Sequence, residues 1–221
     1  MFWLQASALA FAILVPLALW AAHRRRPYPA LERAFAGSLA GLLLVLEAAG
    51  IWQKYADGEF TAAIALPMHL CDWTLIAVAV ALITRNQTCF EVSYFWGLCG
   101  TIQALFTPAI AEEVKFLRQL VFFLDHAAII AGVLFLLLVP RLRPRSFLRI
   151  FVWSEIYLVT ALTVNALTGG NYGFLARRPA QASMLDLFSD THWLYVAQIN
   201  LVGLGFFAFA YLPWWLAGRK H

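Results

Sequence analysis

Five side chains in this sequence have the chemistry of an active site and stand where the surrounding residues are apolar. His69, Cys71 and Asp72 open one apolar run, within Leu66-Pro67-Met68-His69-Leu70-Cys71-Asp72, and Asp125-His126 lie inside another. An ionisable group within such a run is costly unless it is paired or wetted, so each one calls for a partner or a cavity. Histidine exchanges protons near neutral pH, a thiolate is a nucleophile, and a carboxylate can orient a histidine. With Pro67 at the first helical position, where its missing N–H costs nothing, His69 and Asp72 share a helix face. Cys71 then lies just beyond the first turn and points about 200° round the helix from His69. A base for Cys71 has to come from another helix, and His126 is the candidate. Two readings stand for Cys71, nucleophile or inert buried thiol. Two stand for His126, general base or hydrogen-bonded bundle histidine.

Further polar groups are expected at the same depth. Glu47 interrupts an apolar run, Gln103 and Thr107 are four apart on one face, and Asn165 and Gln198 fall in two later runs. Arg118, Phe122 and Asp125 repeat at helical spacing, so Arg118 is expected to reach Asp125 or to hold a phosphate. Arg177 and Arg178 suit an anionic headgroup, with Asn171, Tyr172, Gln103 and Glu47 as further contacts to substrate. Cys71, Cys89 and Cys99 show no C-x-x-C spacing, so neither a zinc site nor a disulfide framework is expected, and nothing calls for a cofactor.

The elements that must position these groups follow from composition. Hydrophobic residues make up 62% of the 221 and charged residues 13%, with a mean hydropathy of +0.74. Soluble domains are nearer half apolar and a quarter charged, so lipid has to cover the excess. A span takes about 20 residues, and seven apolar runs can be read, at about 2–22, 31–54, 67–84, 89–106, 117–139, 147–167 and 193–216. The expectation is an all-α, single-domain, multi-pass protein of the cell membrane: a bundle of seven transmembrane helices. The first run is followed by His23-Arg24-Arg25-Arg26, the reverse of a signal peptide's charge order.

Lysine and arginine set the orientation. With the N-terminus outside and the C-terminus cytoplasmic, Arg24, Arg25, Arg26, Arg33, Arg85, Arg141, Arg143, Arg145, Arg149, Arg219 and Lys220 fall inside. Lys54, Lys115, Arg118, Arg177 and Arg178 fall outside, which satisfies the positive-inside rule. The net charge of +4 is thereby explained by loops between spans, with membrane lipids as partners and no nucleic acid. Residues 169–191 form the one long loop, a length typical of lids and binding loops.

The stretches Leu66-Pro67-Met68-His69-Leu70-Cys71, Tyr94-Phe95-Trp96-Gly97-Leu98, Gln103-Ala104-Leu105-Phe106-Thr107-Pro108, Asp125-His126, and Gly170-Asn171-Tyr172 followed by Leu185-Asp186 resemble the YwaF-like integral membrane family of bacteria. That family is in turn similar to the transmembrane protein 164 group. The resemblance implies a lipid acyltransferase that moves fatty acyl chains between phospholipids with a cysteine and a histidine in the bundle. His126 matches the histidine, and Cys71 is the only cysteine near the other position. The leading expectation is therefore an enzyme acting on a lipid acyl ester. In it Cys71 or a water attacks, His126 exchanges the proton and Asp125 or Asp72 orients a histidine. The competing expectation is a carrier or receptor that binds a small solute or lipid in an outward-facing polar cavity.

Overall fold

The computed structural model describes residues 2–110 and 113–218; Arg219 and Lys220, counted above with the inner charges, lie outside them. The described chain is helical, and no strand occurs among the described residues. In order come α1 (Phe2–Arg25), α2 (Pro29–Ala56), α3 (Leu70–Thr84) and α4 (Gln87–Phe95). A π-helical stretch (Trp96–Thr101) follows, then α5 (Gln103–Phe106), α6 (Phe116–Leu138), α7 (Phe147–Thr168) and α8 (His192–Gly218). Two short 3-10 turns, Tyr172–Phe174 and Met184–Leu187, punctuate the loop between α7 and α8.

Among the described residues five helices, α1, α2, α6, α7 and α8, are long and apolar enough to cross a membrane. The other two expected spans differ. Helix α3 has 15 residues, which at 1.5 Å per residue gives roughly 22 Å against a hydrocarbon core of about 30 Å. The run expected at 89–106 is interrupted by the π-helical stretch.

Helix α6 is the centre of the bundle. Of its apolar stretch 61% is buried, against 11% for α8, and it packs on α1, α2 and α3. Close approach to α3 depends on Gly132, because a Cβ there would stand 2.5 Å from Val78 Cγ1. That central position explains why α6 can carry Asp125 and His126: they face protein rather than lipid.

The start of α3 departs from expectation. Pro67 is not in the helix; His69 is its N-cap, with φ −72° and ψ 156°, and helical geometry begins at Leu70. Side chains from elsewhere satisfy the extended backbone before it. The Tyr172 hydroxyl donates to Ala62 O at 2.8 Å and accepts from Leu66 N at 3.0 Å, while Tyr157 donates to Met68 O at 3.3 Å. Asp72, third in the helix, accepts from His69 N at 2.7 Å. Non-helical backbone inside an apolar bundle persists only with such partners. Cys71 is therefore the second residue of α3, inside its first turn rather than beyond it.

In the middle of α4, Glu91 is fully buried. It accepts from Gln87 Nε2 and Arg145 N, each at 2.8 Å, and pairs with Arg149 at 2.7 Å. This ties α4 to the start of α7 and gives Glu91, an ionisable residue inside the expected 89–106 run, the partners such a residue calls for.

Candidate active site

One cavity of about 640 Å³ lies among α2, the start of α3, the π-helical stretch with α5, α6 and the 169–191 loop. Glu47, His69, Cys71, Asp72, Gln103, Arg118, Asp125 and His126 all line it. Its size falls within the roughly 300–1,000 Å³ usual for small-molecule sites. The π-helical stretch bears on its shape: its Gly100 and Thr101 face the cavity, and a Cβ at Gly100 would meet Leu70 Cδ2 at 2.7 Å. Such stretches often occur at functional sites.

His126 is 5% exposed, and its Nδ1 lies 2.8 Å from Phe122 O, one turn earlier. A carbonyl can only accept, so Nδ1 carries the proton and the neutral ring keeps its lone pair on Nε2. The ring stacks on Phe122 with centroids 4.3 Å apart. Asp125 is expected to be an orienting group, but its nearer oxygen is 3.7 Å from Nδ1, and its Oδ1 is buried without a hydrogen-bond partner among the described residues. The Phe122 carbonyl takes that orienting role.

Asp72 likewise holds backbone rather than a histidine ring. Its Oδ2 takes His69 N, and its Oδ1 accepts from Cys71 Sγ at 3.6 Å. The thiol thus points its proton at a carboxylate, and among the described residues no histidine hydrogen-bonds to the sulfur. The His69 ring contacts the rings of Tyr172 and Phe174, with centroids 5.2 and 5.9 Å away.

Arg118 lines the cavity but does not pair with Asp125. Its guanidinium meets Glu59, and Asp57 at 3.9 Å, because the turn after α2 brings both acids over the start of α6. Lys115 pairs with Asp57, and its hydrogen bond holds the Asp57 carboxyl below the usual carboxylate range.

The 169–191 loop roofs the cavity with Gly173, Phe174, Pro179, Ser183, Met184 and Leu185. Most of the substrate contacts expected on it serve its own folding. Asn171 Oδ1 accepts from Ala176 N and Arg177 N, and its Nδ2 donates to Arg177 O. Tyr172 is 1% exposed, its backbone bracketed by Asn165: Tyr172 N donates to Asn165 Oδ1 at 2.7 Å and Asn165 Nδ2 donates to Tyr172 O at 3.0 Å. Gly173, at φ 65°, passes so close to Tyr157 that a Cβ would lie 2.6 Å from its hydroxyl. Arg178 donates to Leu185 O and Phe188 O and pairs with Asp190, and Gln198 Oε1 accepts from Ser189 N. Arg177 and Arg178 border a separate depression with Asp190, His192 and Tyr195, not the main cavity.

One lining cation escaped the sequence reading. Lys54, on α2, is one of the outer charges of the sequence and also lines the cavity. Its spacing of seven from Glu47 was the available signal, since two helical turns return to the same face.

The model of the TMEM164 family matches residues 1–211. No curated protein and no solved structure matches the chain.

Proposed function

This chain belongs to the TMEM164 family, and from that membership and the cavity we propose a membrane-embedded enzyme that acts on an acyl ester of a membrane lipid. The observation that carries this reading is the hydrogen bond from His126 Nδ1 to Phe122 O, which leaves Nε2 as a free base on a cavity-lining ring. In the proposed step Nε2 takes the proton of a water or lipid hydroxyl as its oxygen attacks the ester carbonyl. The intermediate collapses, the C–O bond to the leaving alkoxide breaks, and the alkoxide recovers the proton from His126. Water yields a free fatty acid and a lyso-lipid; a lipid hydroxyl yields acyl transfer.

The amides of Leu70 and Cys71 have no helical acceptor because they begin α3, and they suit the developing oxyanion. Cys71 is the second candidate nucleophile, favoured by its place in that first turn. Against it stands its bond to Asp72. In this reading all seven apolar segments belong to the bundle. The N-terminus lies outside, and the cavity opens to the outer leaflet of the cell membrane.

The test is turnover of a phospholipid with a labelled acyl chain by the purified chain in lipid nanodiscs. We expect labelled fatty acid or a newly acylated lipid, lost in His126→Gln. Lipid that co-purifies in stoichiometric amount but is never turned over would make the protein a carrier instead.

A further inference from the structure

The two ends of the bundle treat their cations differently. Around the cavity, Lys115 and Arg118 pair with Asp57 and Glu59, and Arg178 pairs with Asp190. At the other end α1, α6 and α8 finish, and α2, α4 and α7 begin. Its carboxylates among the described residues are Glu32, which meets His23, and Glu91, which is buried against Arg149 and the Arg145 amide. Neither pairs with Arg141, Arg143 or Arg145, the exposed arginines that connect α6 to α7.

The backbone of this connection is nonetheless fixed. Gln87 Nε2 donates to Arg143 O and Arg145 N to Glu91, each at 2.8 Å, and the Tyr211 hydroxyl donates to Arg145 O at 3.0 Å. Pro144 is buried and holds Arg143 extended, so Arg143 and Arg145 point the same way about 7 Å apart. The Arg143 guanidinium lies over Trp214, 5.8 Å from the ring centroid. Stacking covers one face of the guanidinium and leaves its N–H edges free, the geometry that takes phosphate oxygens in pairs. Tryptophan is the side chain of the membrane–water interface. Leu148 and Leu212, next to this segment along the chain, are exposed as lipid-facing residues are. The two arginines therefore stand at headgroup level.

We propose that Arg143 and Arg145, with Arg141 beside them, bind the headgroup phosphate of an anionic membrane lipid, and that Trp214 sets the plane of the Arg143 guanidinium. The lipid is a bound partner at the end of the bundle away from the cavity, not a substrate, so the site stands apart from the acyl-ester reading. A topological role alone needs positive charge on this side; it needs neither a fixed backbone nor a stacking ring.

The experiment is native mass spectrometry of the purified chain released from nanodiscs of phosphatidylglycerol and phosphatidylcholine, counting the lipids retained. Wild type should keep phosphatidylglycerol in preference to phosphatidylcholine. Arg143→Gln with Arg145→Gln should lower that retention about 10-fold, the scale of one charge-assisted hydrogen bond. Arg25→Gln with Arg33→Gln removes the same charge from the same end and should change it little. Arg143→Lys and Trp214→Leu keep the charge, and with it the topology; each should weaken retention about threefold, the scale of one cation–π contact. Equal losses in the two double variants would overturn the proposal, leaving a diffuse attraction between a basic face and an anionic leaflet. Wild type without preference between the lipids would overturn it too. Displacement of the lipid by excess inorganic phosphate at constant ionic strength would assign the arginines to a soluble anion instead. If the double glutamine variant fails to insert, Arg143→Lys and Trp214→Leu decide, and unchanged retention in both removes the site.

Discussion

Nδ1 of His126 lies 2.8 Å from the carbonyl oxygen of Phe122, so the backbone of α6 itself fixes which nitrogen of the ring carries the proton. Solid-state ¹⁵N spectra of histidine-labelled protein should therefore show His126 as the Nδ1–H tautomer near neutral pH. His126→Gln should lower turnover about 10²–10⁴-fold, the usual range for losing a general base. An Nε2–H signal for His126 would remove the basis for its proposed role.

The Cys71 thiol donates its hydrogen bond to Asp72, not to a histidine. With water or a lipid hydroxyl as the attacking group, Cys71→Ser should keep turnover within about threefold, because a base-assisted step at another oxygen does not require the thiol. Trapping an acyl-thioester on Cys71, with activity abolished in the serine variant, would move the nucleophile to sulfur.

The hydrogen bonds between Asn165 and the backbone of Tyr172 hold the cavity roof to the end of α7. Replacement by leucine leaves a buried N–H and C=O without partners, at about 1–3 kcal/mol each. Hydrogen exchange across 170–190 should accelerate in Asn165→Leu while the amides of α6 stay protected. Equal exchange in the two proteins would mean that the roof is held elsewhere.

Gly132 sets the separation of α6 and α3. A methyl there meets the stiff, branched Val78, so Gly132→Ala should cost about 1–3 kcal/mol of overpacking. Gly203 and Gly37 face open space, and alanine at either should leave the detergent melting temperature nearly unchanged. All three variants melting alike would show that the α3–α6 contact is not tight.

Acidification should release one tie at the outer rim. Because Lys115 holds the Asp57 carboxyl below its ordinary pKa, the stabilisation is present above the ordinary carboxylate pKa and lost as pH falls through the depressed folded-state value. Hydrogen exchange around 57–64 should rise in that acidic window, and Lys115→Met should show the faster exchange already at neutral pH. A pH-independent rate in the wild type would deny the tie.

How far the sequence reveals the site depends on which interactions have a local signature. Apolar runs and ionisable residues inside them are local, so Glu47, His69, Asp72, Asp125 and His126 could be placed on one cavity from depth alone. The late start of α3 could not, because it is dictated by hydroxyls of Tyr157 and Tyr172 roughly a hundred residues downstream. The same holds for Arg118, whose spacing to Asp125 is helical but whose guanidinium answers to acids on the preceding turn. Loop arginines were legible as charges, not as donors to their own loop's carbonyls. Lys54 was visible throughout, but only a cavity distinguishes a lining lysine from a flanking one.

The π-helical stretch from Trp96 to Thr101 has a consequence for what this chain tolerates in its length. A π turn closes its hydrogen bonds one residue later than an α turn, so the stretch stores a surplus residue without rotating the helix on either side. Phe90 and Phe95 keep facing the core while Gln103 and Thr107 keep facing the cavity. Losing one residue here could be absorbed by tightening to α-helix, whereas the same loss in α6 would swing Asp125 and His126 by about 100° and away from the site. Length variation among descendants of this fold therefore has one permissive position next to the chemistry, and a rigid helix on the opposite wall.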